Sequence, residues 1–180
     1  VARWGEACRE KWIDPGSGLL IQCINPLNGE PGDLPRGSGT CLGIYMLSFG
    51  MPELAAELQD AVKSELAGAM VGFGGIREYP RGTTGEFGDI DSGPIVLGYG
   101  LSATGFAISG ARMYGDRDLF RKLFRTAYAW GAPVASGGRM HFVTGGALGD
   151  ALMLAMLTAQ PPSTLPGSAG KQSTTPDKED

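Results

Sequence analysis

Two kinds of helical segment alternate along this chain, and that alternation constrains its fold more than any other feature. Residues 39–49 (GTCLGIYMLSF) and 92–111 (SGPIVLGYGLSATGFAISGA) carry no charge, and residues 147–159 (ALGDALMLAMLTA) carry only Asp150. A helix that is apolar on every side has to be buried on every side. Residues 52–70 and 117–130 are two-faced instead. In the first, Leu54, Leu58, Ala61, Val62 and Leu66 recur at helical spacing opposite Glu53, Glu57, Asp60, Lys63 and Glu65. In the second, Leu119, Phe120, Leu123, Phe124, Ala127 and Trp130 form the apolar side, and Asp116 is placed to cap the start. The uncharged helices are expected to begin near residues 38, 92 and 145, which are 54 and 53 residues apart, each opened by a Gly- or Ser-rich stretch (RGSGTCLG, DSGPIVLG, TGGALGDA). A unit that recurs and cannot bury its apolar face alone stacks on its neighbour. The expectation is therefore two layers, with uncharged helices inside and amphipathic helices outside.

The segments between helices read as loops. Residues 14–36 contain a short apolar run at 19–24 and an Asn28-Gly29 turn signal, so a small β-hairpin is expected near the N-terminus. Residues 71–92 form a long Gly-rich loop, and residues 131–146 form another that carries Arg139 and His141. Ser92 and Pro94 suit the cap and first turn of a buried helix over about 94–113. Residues 1–160 read as one domain. Residues 161–180, rich in Pro, Ser and Thr, read as a disordered tail. Residues 1–12 resemble the end of a helix already under way, so the chain is expected to be a piece of a larger domain.

Composition removes several function classes. Glycine makes up 30 of 180 residues without a three-residue period, which excludes collagen. Net charge is −4 and no basic stripe is evident, so a nucleic-acid partner is not expected. Residues 92–111 are long enough to span a bilayer, but five glycines and three serines dilute their hydrophobicity, and burial inside a protein is the expected role. No signal peptide is visible. Cys8, Cys23 and Cys41 lack metal-binding spacing and read as small buried hydrophobes. With one histidine, a multi-His zinc site is excluded, and no metal or cofactor is expected.

Helix order, repeat spacing and the Gly-rich stretches before the inner helices, over residues 1–160, resemble the α/α toroids of the six-hairpin glycosidase-like superfamily. Within that architecture they are similar to proteins of the linalool dehydratase/isomerase kind. The resemblance implies an all-α fold in which this chain supplies about half a ring. It also implies a central cavity floored by the loops at 33–38, 77–92 and 139–145. A compact helical bundle is the simpler all-α alternative.

These loops hold the candidate site. Glycoside hydrolysis needs two carboxylates flanking the scissile bond, and the expected pair is Glu78 and Asp89, with His141 as a third proton carrier. Asp89 and Asp91 precede a buried helix, whose dipole favours their ionised form. Asp91 suits a helix cap or a substrate contact, and Glu78 suits a pair with Arg77 or a catalytic role. Tyr79 offers a ring or a hydroxyl to a sugar, and Arg36, Arg81 and Arg139 suit a carboxylate or sulfate. Asp150 fits the first turn of its helix or the cavity wall. A carbohydrate-active hydrolase or lyase acting on a small-molecule or carbohydrate substrate is the leading expectation. The alternatives are a dehydratase/isomerase of a small apolar alcohol, with Cys41 and Tyr45 on one helical face, and a non-catalytic scaffold.

Overall fold

The computed structural model describes residues 2–83 and 93–161. Helix α1 (Ala2–Ala7) runs directly into a π-helical turn (Cys8–Trp12). Antiparallel bridges Ile13↔Leu20, Ile21↔Pro35 and Ile24↔Pro31 then fold the next segment back on itself around Gly29, whose φ is 73°. Helix α2 (Gly37–Leu47) is followed by α3 (Pro52–Ala61), which also ends in a π-helical turn (Val62–Leu66). Strands β1 (Ala67–Met70) and β2 (Phe73–Ile76) form a hairpin, as do β3 (Ile95–Val96) and β4 (Tyr99–Gly100). Helices α4 (Leu101–Met113) and α5 (Arg117–Gly131) lead to a third hairpin, β5 (Pro133–Ser136) with β6 (Arg139–Phe142). A short 3₁₀ turn (Val143–Gly145) enters α6 (Gly146–Thr158).

Helices α2, α4 and α6 pack side by side in that order, with α3 against α2, and α5 against α4 and β2. Leu54, Leu58, Val62 and Leu66 from the α3 segment meet Ile44, Ile76, Ile108 and Leu123 in one fully buried cluster. Each such side chain contributes about 1.5–3 kcal/mol of burial. Local chemistry matches these elements. Pro52 opens α3, where its missing N–H costs nothing. The Asp116 carboxylate accepts the Leu119 N–H at 3.0 Å and caps α5. Its other oxygen pairs with Lys63 at 2.7 Å, tying the end of the α3 segment to the start of α5.

The structure corrects several expectations. The fold is helix-rich with short antiparallel hairpins rather than all-helical. Residues read as the end of one amphipathic helix and as loops form β1, β2, β5 and β6. Their turns are Val71-Gly72 (φ 51° and 81°) and Gly137-Gly138 (φ 57° and 74°), the left-handed pairs that match strand twist in a two-residue hairpin. Leu97-Gly98 (φ 54° and 83°) does the same between β3 and β4, so the buried helix begins at Leu101, not near residue 94. Its neighbours begin at Gly37 and Gly146, which replaces the even repeat with steps of 64 and 45 residues. The additional length lies between β2 and α4. Helix α6 is also less buried than expected, with Met156 its one buried residue, whereas Ala103, Thr104, Ala107, Ile108, Ser109, Gly110, Ala111 and Met113 of α4 are buried. Among the described residues no helix is long and apolar enough to cross a membrane. The tail from residue 162 lies outside the described residues.

Candidate functional site

Three of the expected site residues meet where the chain leaves β2. Residues 77–79 thread between the starts of α2 and α4. Glu78 donates its backbone N–H to Gly98 O (3.1 Å), and its own carbonyl accepts the Gly37 N–H (2.7 Å). The Glu78 side chain is fully buried, and Ser38 Oγ donates to its Oε1 at 2.5 Å. Glycine is required at both helix starts. A Cβ on Gly37 would strike the Arg77 carbonyl, and one on Gly100 would strike the Glu78 carboxylate. Arg36 lies 5.4 Å over the ring of Tyr79, itself buried, and pairs with Asp33 at 2.9 Å. Arg77 lies 5.7 Å over Tyr99. Cys41, fully buried one turn into α2, has its thiol pushed upward by burial and, secondarily, by the Glu78 charge. Arg36, Glu78 and Tyr79 therefore form a closed joint between two helix starts. Arg81, two residues on, is exposed.

A second cluster is open to solvent. Asp150, five residues into α6, accepts the Phe142 N–H at 2.6 Å through Oδ1 and meets His141 Nδ1 at 2.8 Å through Oδ2. The Phe142 N–H and then the His141 hydrogen bond hold the Asp150 carboxyl below its usual range. An ionised carboxylate only accepts, so Nδ1 donates in this pair, and a ring that carries that one proton has Nε2 as its base. The side chain of His141 is 53% exposed and that of Asp150 28%. Alternation along β6 places Arg139 on the same hairpin face as His141. Register places Val134 opposite His141, and Ser136 opposite Arg139. Phe142 faces the other way, buried against Gly131.

Glu78 and His141 thus belong to different surroundings, one sealed and one open, and share no hydrogen bond. Asp89 and Asp91 lie outside the described residues. Among the described residues no group of three or more His, Cys, Asp or Glu is placed to hold a metal ion. Sequence reading missed Ser38 as the partner of Glu78, and the pairing of His141 with Asp150. The second was detectable, because a Gly-Gly pair followed by a four-residue segment signals a hairpin that returns His141 to the next helix start. No protein-family model matches the chain, and no curated protein matches it.

Proposed function

We propose that this chain is part of an α/α toroid of the six-hairpin glycosidase-like kind, and that it catalyses an elimination on a carboxylate-bearing carbohydrate. The observation that carries the reading is the His141–Asp150 pair, with Nδ1 held by a carboxylate, the ring half-exposed, and Arg139 two residues before it on the same strand face. In such a reaction Arg139 binds the substrate carboxylate and stabilises charge that builds on it. His141 Nε2 removes the neighbouring carbon-bound proton. The carbon–oxygen bond then breaks with its electron pair on oxygen, and the imidazolium returns a proton to that oxygen. Asp150 keeps the ring in the productive tautomer and stabilises its charged form. Burial of Glu78 against Ser38 favours this lyase chemistry over two-carboxylate hydrolysis.

Val134, half-exposed and directly across from His141, favours a second reading, the dehydration or isomerisation of a small apolar alcohol by the same proton carrier. The deciding experiment incubates the protein with uronate-containing oligosaccharides and follows the ultraviolet absorbance of the unsaturated product. Turnover is expected, lost in His141→Ala and lowered in kcat in Asp150→Asn. New reducing ends without unsaturation would overturn elimination. Headspace detection of an alkene from a small alcohol would move the assignment to the second reading.

A further inference from the structure

One hydrogen bond recurs at the starts of α2, α4 and α6, and its third instance differs from the other two. Strands β2 and β6 end at Ile76 and Phe142, which face Ala67 and Pro133 in the same register. In an antiparallel pair, residues alternate between those that bond across the ladder and those that do not. Arg77 and Val143, one residue further on, donate across it, to Leu66 O at 3.0 Å and to Ala132 O at 3.4 Å. The N–H groups of Ile76 and Phe142 therefore point the other way, towards the helix that follows. A main-chain N–H taken out of water needs an acceptor. Ile76 finds it in Thr104 Oγ1 at 3.0 Å, and Phe142 finds it in Asp150 Oδ1 at 2.6 Å. In the bridged N-terminal segment, Leu20 finds it in Thr40 Oγ1 at 3.0 Å. Thr40 and Thr104 are the fourth residues of α2 and α4, and Asp150 is the fifth of α6.

A hydroxyl is enough for this clasp. A carboxylate brings a second oxygen that the clasp does not use, and in α6 that oxygen meets His141 Nδ1 at 2.8 Å. The residue before each clasped amide accounts for the difference. It is Leu19, fully buried, in the first case and Gly75, pressed against the Tyr99 ring, in the second. Neither side chain offers a second oxygen a partner. In the third case it is His141, and there the acceptor is acidic. The Phe142 amide is itself held in place. Its ring is buried against Gly131, where a Cβ would fall 2.5 Å from the ring, and the Val143 N–H ties the end of β6 to Ala132.

We propose that the main-chain N–H of Phe142 is a positioning group for His141. By holding one oxygen of Asp150 it fixes which atom of residue 150 the imidazole meets, and so which ring nitrogen carries the proton. With Oδ1 engaged, Oδ2 faces Nδ1, Nδ1 donates, and the neutral ring keeps Nε2 as its base. The inference deepens the elimination reading and rests on it for its consequence in turnover.

The isosteric variant Asp150→Asn tests it, because a side-chain amide has an accepting end and a donating end. With the oxygen kept by Phe142, the NH₂ group has to face Nδ1, which then accepts, and the ring proton moves to Nε2. Without that hold, the amide turns its oxygen to the ring and the proton stays on Nδ1. His141 is the only histidine, so one pair of ring-nitrogen signals reports the tautomer. Long-range ¹H–¹⁵N correlation spectra of the ¹⁵N-labelled 180-residue chain, in mildly alkaline buffer, should place the proton on Nδ1 in the parent and on Nε2 in Asp150→Asn. Thr104→Ala removes the clasp at α4, and should lower the melting temperature while leaving the His141 signals where they are. A parent ring protonated on Nε2 would overturn the proposal. So would an Asp150→Asn ring that keeps its proton on Nδ1 or divides it between the two nitrogens, or a Thr104→Ala chain that moves the tautomer with its helical circular dichroism intact. The elimination reading fails separately. A chain that switches tautomer but turns over no uronate keeps the positioning role and loses elimination, whereas turnover without the switch does the reverse.

Discussion

The hairpins β1–β2 and β5–β6 have the same length, the same register and the same kind of turn, yet one is covered and the other is open. Position by position, Gly68↔Gly75 in the first corresponds to Val134↔His141 in the second, and Ala69↔Gly74 to Ala135↔Met140. The first hairpin is reduced to glycine where other elements lie on it. A Cβ on Gly74 would fall 2.8 Å from Lys122 Cβ and 3.2 Å from the Leu123 backbone N, and one on Gly75 would fall 2.7 Å from the Tyr99 ring. Thr126 and Thr104 reach down to the same hairpin, Thr126 Oγ1 donating to Gly74 O at 2.5 Å and Thr104 Oγ1 accepting the Ile76 N–H at 3.0 Å. The second hairpin carries side chains where the first has glycine, and one of them is the only histidine. The same scaffold position serves close packing in one unit and, in the next, holds the histidine of the proposed elimination. Glu78 and Thr144, each two residues past its hairpin, diverge in the same way. Glu78 is sealed between helix starts, whereas Thr144 is exposed and donates to Trp130 O at 2.8 Å.

The largest expected effect comes from filling the covered hairpin. Gly74→Leu should cost about 3 kcal/mol, because the side chain meets α5 backbone that cannot step aside. Met140→Ala, at the equivalent open position, should stay within about 0.5 kcal/mol. Urea denaturation of the two variants measures both values, and equal costs would remove the distinction between the hairpins.

A smaller effect sharpens the likeness of the turns. Val71 and Gly137 both occupy the first left-handed position of their turns, at φ 51° and 57°. A β-branched residue is strained there, while Asn and Gly are tolerated. Val71→Asn should therefore gain about 1 kcal/mol, read as a higher urea midpoint, while Gly137→Asn should change little. No gain at Val71 would mean that its turn is not held left-handed in solution.

The helices with two unlike faces were legible in the sequence, because periodicity, Pro52 and the Asp116 cap fix their starts independently. The starts of the uncharged helices were not. IVLGYGL has no polar side to set a period, so the β3–β4 turn at Leu97-Gly98 was absorbed into a helix. Four-residue strands such as FGGI and RMHF are too short, and one is too glycine-rich, to show alternation. Their adjacent left-handed pairs were the readable signal. Arg36, Glu78 and Tyr79 were each named in the sequence as part of one expected cavity with Arg81, Asp89, Asp91, Arg139 and His141, but sequence could not distinguish an open cleft from a closed joint. That distinction depends on the glycines at 37 and 100, which bring two helix starts within reach of one carboxylate. His141 and Asp150 were both noted, and their contact was missed because it crosses the turn into α6.

The last comparison is of pH limits. In the sealed region the Cys41 thiol is raised, chiefly by burial. Its unfolded counterpart ionises near pH ~8.5, so the unfolded chain gives up a proton that the folded chain keeps. The contribution of Cys41 is whole below that value and is lost as pH rises towards the folded value. In the open region the Asp150 carboxyl is lowered by the Phe142 N–H and then by His141. Its contribution is whole above about pH 3.9 and is lost as pH falls through the lower folded value. Asp116 is lowered too, first by Lys63 and then by the Leu119 N–H, so it adds an acid limb of its own. Thermal melts across pH should then separate the two regions. Cys41→Ala is expected to make the alkaline limb shallower without abolishing it, since Cys8 and Tyr114, both raised chiefly by burial, still titrate, and to leave the acid limb intact. Asp150→Asn is expected to make the acid limb shallower without abolishing it, since Asp116 still titrates, and to leave the alkaline limb unchanged. An alkaline limb left unchanged by Cys41→Ala would mean that the joint around Glu78 opens to solvent well before the chain unfolds.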